Sequence, residues 1–150
     1  MNQPLYTPDI LRLAASVPPF EPLPDATGSA EKRSTTCGST IRADVRTDAD
    51  GRVTALAQKV IACAFGQASA ALTQQAAPGR TAADLQALRA SLHAWLTGAA
   101  ENPGPFAPLA PARDKSARHS AMLLPLDAII AAVEQATHRV SLDYARDERS

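Results

Sequence analysis

The sequence is poor in aromatic residues and carries no excess charge, and both shortages limit what the protein can be. It has three Phe, two Tyr and one Trp, so its core must be built mainly from Ala, Leu, Ile and Val. Small side chains of this kind allow helices and strands to approach closely. Fifteen basic and fifteen acidic residues give a net charge of zero. No overall field attracts such a chain to nucleic acid or to an anionic membrane, and we expect neither partner.

Long apolar runs are also missing. No segment approaches the roughly 18 consecutive apolar residues that a membrane-spanning helix needs. The N-terminal residues, Met1-Asn2-Gln3-Pro4, do not begin a secretory signal. We therefore expect a cytoplasmic protein. The length of 150 residues and the ordinary composition, 45% hydrophobic and 20% charged, predict one folded domain over residues 1–150.

Cysteine is scarce, and the two that are present stand out. Cys37 and Cys63 could form one disulfide. In a chain of this size without an export signal, however, a cysteine pair more often serves metal or sulfur chemistry.

The hydrophobic pattern predicts helix, then strands, then further helices. Alternation from Ser39 to Arg46 and the turn residues at 48–51 indicate a β-hairpin. The other predicted elements are a helix at 6–16, a proline-rich connector at 17–24, a polar loop or edge strand at 25–32, helices at 64–77 and 81–98, an irregular segment at 102–111 and a last helix at about 119–137.

These elements predict an α+β domain, a small antiparallel sheet of about three strands with helices packed on one face. The core is expected at about residues 4–136 and a frayed tail at 139–150. Thr81 and Asp84 have the spacing of a capping box. Pro125 must lie in the first turn of the last helix or kink it.

Both cysteines lie at predicted element boundaries. Cys37 precedes Gly38 at the entrance to a strand, and Cys63 lies just before a helix of small residues. A thiol at a helix N-terminus is favoured as thiolate by the helix dipole. Taken singly, each cysteine is more often a small buried hydrophobe, and a lone histidine such as His119 is more often structural than a ligand.

Three blocks of residues, taken in order, carry a resemblance to a known family. Cys37-Gly38-Ser39 comes first, Lys59-Val60-Ile61-Ala62-Cys63-Ala64 then leads into the small-residue helix, and Arg118-His119-Ser120 opens the last helix. A proline-bearing connector and the Asp50-Gly51 turn fall in the matching places. With these blocks the chain resembles the IscU/NifU-type iron–sulfur cluster assembly scaffolds over about residues 4–136.

The resemblance implies a fold, a function and a site. In that family the matching segments converge at one exposed end, accept sulfur from a cysteine desulfurase and iron, and hold a transient [2Fe–2S] cluster for apo iron–sulfur proteins. Carried onto this chain, the family site consists of Cys37, Cys63 and His119 as metal ligands, with Ser39 and Ser120 as hydrogen-bonding or weak oxygen ligands. Such a protein is not an enzyme, and we expect a monomer or a weak homodimer.

The chain departs from the family pattern at three places. Ser39 stands where the family has Asp, and Ser120 stands where it has the third Cys. A serine hydroxyl is a hard oxygen with a far higher pKa than a thiol, so it replaces a thiolate ligand poorly. Residues 109–113 read Leu-Ala-Pro-Ala-Arg in place of the family's Leu-Pro-Pro-Val-Lys, so transfer through a specialised Hsp70 chaperone is not expected.

Three functions are compatible with the remaining Cys₂His set. The first is a cluster scaffold or carrier whose incomplete ligation is completed by a second subunit, a thiol or Ser39. The second is a regulatory or interaction protein that no longer builds clusters. The third is a small Zn²⁺-binding domain with water or a carboxylate as fourth ligand.

Overall fold

The computed structural model describes residues 6–149, with side chains described through residue 138. Three strands form an antiparallel sheet in the order β1-β2-β3, and helices pack on one of its faces. The predicted α+β class and the hairpin are therefore confirmed. The elements are α1 (Pro8–Ala14), β1 (Gly28–Arg33), β2 (Thr40–Thr47), β3 (Val53–Ile61), α2 (Ala64–Ala76), α3 (Ala82–Leu96), a 3₁₀ helix (Gly104–Ala112) and α4 (Ser116–Arg149).

Local sequence explains where several elements begin and end. In the hairpin turn the Asp48 carboxylate accepts from the amides of Asp50 and Arg52, each at 2.9 Å. Gly51 adopts a φ of 79°, which favours glycine. At the start of α3, Thr81 and Asp84 form the predicted capping box, each side chain accepting from the other residue's amide.

Two predictions about helices were wrong. The segment 102–111, expected to be irregular, is largely a 3₁₀ helix in which Phe106 and Leu109 are fully buried. Their spacing of three residues places both side chains on one side of a 3₁₀ helix. The burial of these two side chains compensates for the backbone hydrogen bonds that the prolines of the segment cannot donate. The last helix begins at Ser116 and not near His119, and its backbone continues past the expected end to Arg149. Pro125 therefore lies inside α4 and not in its first turn.

The core lies between the sheet and the helices. The alternation predicted for β2 is present, since Ile41, Ala43 and Val45 are fully buried on the face toward the helices. The small residues of α2 are buried as well, with Ala68 and Ala70 inaccessible to solvent. By length and composition the segment Ser116–His138 of α4 could cross a membrane, but 61% of its apolar window is buried inside the domain. It is the central core helix of this fold.

The approach of α4 to β1 is closest at Gly28. A Cβ atom added at this position would collide with the backbone carbonyl oxygen of Ala132 and would lie 3.0 Å from the amide nitrogen of Ala136. Both obstacles are backbone atoms, which cannot move aside as a flexible side chain would. The absence of a side chain at Gly28 therefore allows β1 to lie directly on α4.

The variant Gly28→Ala should lower the free energy of unfolding by roughly 1–3 kcal/mol, because the new methyl group forces strand and helix apart. Urea unfolding followed by circular dichroism measures the change. Ala83→Ser, a small change at an exposed position of α3, is the control and should be near neutral. Equal stability of Gly28→Ala and wild type would contradict the close approach.

A buried carboxylate fastens the proline-rich connector to the outer face of the sheet. Asp44, 2% exposed, accepts from the Leu23 amide at 3.2 Å, from the Ser29 hydroxyl at 2.6 Å and from Arg42 Nε at 3.1 Å. Burial by itself raises the pKa of the Asp44 carboxyl, but these donors together outweigh burial and hold the pKa below its ordinary value. The Arg42 guanidinium also lies over the Phe20 ring, 5.2 Å from its centroid.

The stability contributed by Asp44 should depend on pH. Because the folded-state pKa is lowered, the contribution is complete above the unfolded pKa of about 4 and is lost as the pH falls through the folded pKa. Asp44→Asn should therefore be less stable than wild type by roughly 2 kcal/mol at pH 7, and the difference should shrink in acid. Thermal unfolding at a series of pH values tests this, with exposed Glu21→Gln as control. A difference independent of pH would refute the assignment.

Candidate functional site

The sheet register brings the two cysteine-bearing segments to the same end of the domain. Thr40 at the start of β2 is paired with Ile61 at the end of β3. Cys37 lies three residues before Thr40, and Cys63 lies two residues after Ile61. Both cysteines therefore flank the same end of one strand pair, which is the arrangement that the family resemblance implied.

The Cys37 loop is a tight turn closed by backbone hydrogen bonds. The Ser34 amide donates to the Ser39 carbonyl at 2.8 Å, and the Gly38 amide donates to the Ser34 carbonyl at 3.0 Å. Gly38 has a φ of 73°, and a Cβ there would meet no atom within 4 Å. The glycine is therefore needed for backbone conformation and not for space. The turn leaves the Cys37 side chain exposed at its tip.

Three serine hydroxyls surround the Cys37 thiol from two parts of the chain. Cys37 Sγ lies 3.0 Å from Ser39 Oγ and 3.9 Å from Ser120 Oγ. Ser34 Oγ lies 3.1 Å from Ser120 Oγ and accepts from the Cys37 amide at 3.4 Å. Ser34 and Ser39 are themselves buried, at 7% and 5% exposure, so the two hydroxyls are held in place. We call Ser34, Ser39 and Ser120 the serine cluster.

The serine cluster changes the chemistry of the thiol. Hydrogen bonding to Ser34 and Ser39 lowers the pKa of Cys37 to about 7, against the opposing effect of partial burial, with a smaller contribution from Ser120. Hydroxyl donors stabilise the thiolate and not the thiol, which accounts for the direction of the shift. At neutral pH a large share of Cys37 is therefore present as the exposed, nucleophilic thiolate.

Cys63 has a different environment. It is the N-cap residue of α2, with extended backbone angles and no side-chain capping bond, and its carbonyl accepts from the Gln67 amide at 2.9 Å. Its side chain is half-buried and packs against the edge of the core. The predicted position at a helix N-terminus is confirmed.

His119 lies in the first turn of α4, and one of its ring nitrogens is already engaged. Nε2 lies 2.7 Å from the Arg113 carbonyl oxygen, so in this arrangement it donates its proton to that oxygen. Arg113 is fixed in turn by donating to the carbonyls of Trp95 and Ala100. This pairing gives His119 a structural role and leaves Nδ1 as the nitrogen available for ligation.

The structure thus brings some, but not all, of the predicted site residues into contact. Cys37, Ser39 and Ser120 are in contact, whereas Cys63 and His119 are placed by their own neighbours. Among the side chains described, no three His, Cys, Asp or Glu residues are gathered closely enough to hold a metal ion. The structure therefore gives no support to the zinc alternative, while the assignment of Cys37, Cys63 and His119 as cluster ligands stays a prediction.

Ser34 was not among the predicted site residues. The residue stands three positions before Cys37, in a stretch rich in Ser and Thr that carries no motif of its own. Its Oγ links the Cys37 amide to Ser120, 86 residues further along the chain. A serine whose partner is so remote leaves no periodic signal in the sequence.

Titration of the Cys37 thiol tests the serine cluster. In a Cys63→Ala background, the rate of alkylation by iodoacetamide should rise with pH with a midpoint near 7. Ser34→Ala and Ser39→Ala should move the midpoint upward, because each removes a donor to the thiolate. Thr36→Ala, an exposed position of the same loop, should leave it unchanged. A wild-type midpoint near 8.5, the value of an unperturbed thiol, would show that the hydroxyls do not act on Cys37.

Solved structures share this α+β fold. A nitrogen-fixing NifU-like protein (N-terminal) from Brucella abortus is 33% identical, with a TM-score of 0.79 over 89% of this chain and 95% of that one. The chain therefore belongs to the NifU-like N-terminal family, and the resemblance to IscU/NifU-type scaffolds is confirmed. A protein of Fervidobacterium islandicum, described as an iron–sulfur cluster assembly scaffold for the SUF system, has a TM-score of 0.75 at 16% identity over 86% of this chain and 96% of that one.

A hypothetical protein solved at 2.3 Å resolution is also similar, with a TM-score of 0.73 and 21% identity over 87% of this chain and 97% of that one. At this identity the likeness concerns the fold alone. No family model matches the sequence. No curated protein matches it either.

Proposed function

We propose that this chain is a cytoplasmic iron–sulfur cluster assembly scaffold or carrier in which sulfur enters at Cys37. The observation that carries the proposal is the exposed Cys37 thiol, with a pKa of about 7, held by buried serine hydroxyls. Membership of the NifU-like family and the likeness to a SUF-system scaffold support the same function. The protein is a carrier and not an enzyme, since sulfur is bound and passed on.

The chemistry of sulfur entry follows from the thiolate. Cys37 Sγ attacks the outer sulfur of a cysteine persulfide on a cysteine desulfurase. The sulfur–sulfur bond of the donor breaks, the donor cysteine leaves as a thiolate, and a new sulfur–sulfur bond forms on Cys37. No net oxidation or reduction occurs. Because the leaving group and the attacking group are both thiolates, a Cys37 pKa near ambient pH suits transfer in either direction.

Iron enters as cargo and needs further ligands. Cys37 and Cys63 supply two thiolates near the same end of the sheet. His119 contributes through Nδ1, or through Nε2 after its bond to Arg113 is released. Ser39 and Ser120 supply weak oxygen ligands, and a second subunit or a small thiol completes a [2Fe–2S] cluster. A site so sparsely ligated gives up its cluster readily, which is what delivery to apo iron–sulfur proteins requires.

The proposed partners follow the same chemistry. They are a cysteine desulfurase as sulfur donor and apo iron–sulfur proteins as acceptors, without nucleic acid or membrane. Transfer through a specialised Hsp70 chaperone is not part of the proposal, because residues 109–113 lack the family's binding sequence and Leu109 is fully buried.

One observation favours a second function. No three His, Cys, Asp or Glu side chains are gathered for metal binding among the residues whose side chains are described. A regulatory or interaction protein that retains the desulfurase-facing thiol but assembles no cluster would have this arrangement.

Anaerobic reconstitution with iron, sulfide and a desulfurase distinguishes the two functions. Wild type should take up iron and sulfide, measured by metal analysis and visible absorption, roughly tenfold above Cys37→Ala. Ser120→Cys should raise occupancy or cluster lifetime further, because a thiolate binds iron more strongly than a hydroxyl. Thr36→Ala serves as the loop control. Negligible uptake by both wild type and Cys37→Ala, with a cluster only in Ser120→Cys, would contradict the scaffold proposal and favour the regulatory one.

A further inference from the structure

Strand β1 is an edge of the sheet that leads directly into the thiol loop. It pairs with β2 on one side only, and its last three residues, Glu31, Lys32 and Arg33, are exposed. Ser34 of the serine cluster follows immediately. A strand edge of this kind presents backbone N–H and C=O groups to any chain that lies beside it.

The hydrogen bonds at the two ends of β1 show which backbone groups point outward. The Ser29 amide donates to the Gln135 side chain of α4 at 2.7 Å, so it faces away from β2. The Ser34 amide donates to Ser39 at 2.8 Å, so it faces inward. Because direction alternates with every residue, Glu31 and Arg33 share the outward direction of Ser29. Gln135 thus covers the far end of this edge, and at the end nearest Cys37 no described residue outside the sheet is hydrogen-bonded to the outward groups.

A groove of about 360 Å³ runs along this open edge, between β1, α3 and α4. Lys32 and Arg33 line it, together with Arg89 of α3 and with Asp127 and Glu134 of α4. Arg89 is paired with Asp127, and Gln86 donates to Glu134 at 2.8 Å.

Two cations of the groove lack a counterion. Among the side chains that the structure describes, neither Lys32 nor Arg33 has a carboxylate within ion-pair distance. The neighbouring Glu31 lies opposite Arg42 and, among the described side chains, forms no ion pair with Lys32 or Arg33. The groove is therefore positive at the end next to the thiol loop and negative at the far end, near Glu134.

We propose that an extended acidic segment of the sulfur-donating partner adds to β1 as a fourth strand, pairing with the outward backbone groups of Glu31 and Arg33. This inference rests on the proposed function. Strand addition supplies main-chain hydrogen bonds, and the unneutralised Lys32 and Arg33 select carboxylates on the partner. Because β1 runs into the Ser34–Cys37 turn, the added strand places its neighbouring residues beside the thiol.

Two kinds of variant separate the backbone contribution from the charge contribution. Glu31→Pro removes one outward N–H and leaves the bonds to β2 intact, as proline on an edge strand does. Glu31→Gln is its matched control, since it removes the charge and keeps the amide. The double variant Lys32→Glu with Arg33→Glu reverses the cationic end, and Arg52→Glu, in the distant hairpin turn, is the control for charge.

The experiment uses a purified cysteine desulfurase as probe, with binding measured by biolayer interferometry and sulfur transfer to Cys37 measured with labelled cysteine. Glu31→Pro and the double variant should each weaken binding and raise the scaffold concentration for half-maximal transfer about tenfold or more. Binding to wild type should weaken as salt is added. The rate of Cys37 alkylation by iodoacetamide and the melting temperature should stay near wild type in both variants, which shows that site and fold are intact.

Each outcome decides between the inference and the function on which it rests. If all variants bind and accept sulfur as wild type does, the inference that the partner adds to β1 is wrong, and the proposed function is unaffected. If the desulfurase binds wild type and is weakened by both variants but no sulfur reaches Cys37, the surface stands and the proposed function fails. If wild type neither binds the desulfurase nor accepts sulfur, both are wrong. If Glu31→Pro instead converts a dimer into a monomer in gel filtration, the edge pairs with a second copy and the partner inference is overturned.

Discussion

The site depends on how closely α4 approaches its two neighbours. On one side Gly28 allows β1 to lie against the backbone of α4 at Ala132. On the other side Gly66 of α2 lies against Ala121, where an added Cβ would be in ordinary contact with the Ala121 carbonyl oxygen at 3.4 Å and would collide instead with the Ala62 side chain at 2.7 Å. Pro125, four residues after Ala121, has no N–H to donate to that carbonyl. A buried hydrogen bond from Ser69 to the Met122 carbonyl joins the same two helices.

This double approach has a direct consequence for the chemistry. Ser120 precedes Ala121 on α4, and the first turn of α2 begins next to Cys63. Holding α4 against both β1 and α2 therefore brings one hydroxyl to the Cys37 loop and keeps Cys63 at the same end of the domain. A larger residue at Gly28 would displace α4, and with it Ser120, as well as reduce stability. The small side chains at these contacts allow α4 to pack closely on β1 and α2, which keeps the residues of the site near one another.

The serine cluster has a different chemical effect from the thiolate ligands of the family. A hydroxyl donates a hydrogen bond to a thiolate and lowers its pKa, but it is a poor ligand for iron. Having Ser39 and Ser120 beside Cys37 therefore favours a reactive, exposed thiol over a preformed metal site. That balance fits the proposed entry of sulfur at Cys37 better than it fits a preformed metal site.

Patterns of short range were predictable from the sequence, and contacts of long range were not. The hairpin and the Thr81 capping box each depend on residues within a few positions of one another, so periodicity and turn chemistry were sufficient. Cys37 was found from a motif. The engagement of His119 by the Arg113 carbonyl and the position of Ser34 depend on how separate segments pack, which no local pattern encodes. The 3₁₀ helix was missed because its prolines mask the burial of Phe106 and Leu109.

Locating the transferred sulfur tests the central claim most directly. The protein is incubated anaerobically with a cysteine desulfurase and cysteine, the thiols are trapped, and the peptides carrying Cys37 and Cys63 are compared by mass spectrometry. We expect one added sulfur atom on the Cys37 peptide before any appears on the Cys63 peptide. Sulfur appearing first on Cys63, or on neither cysteine while the desulfurase produces alanine at its normal rate, would contradict it.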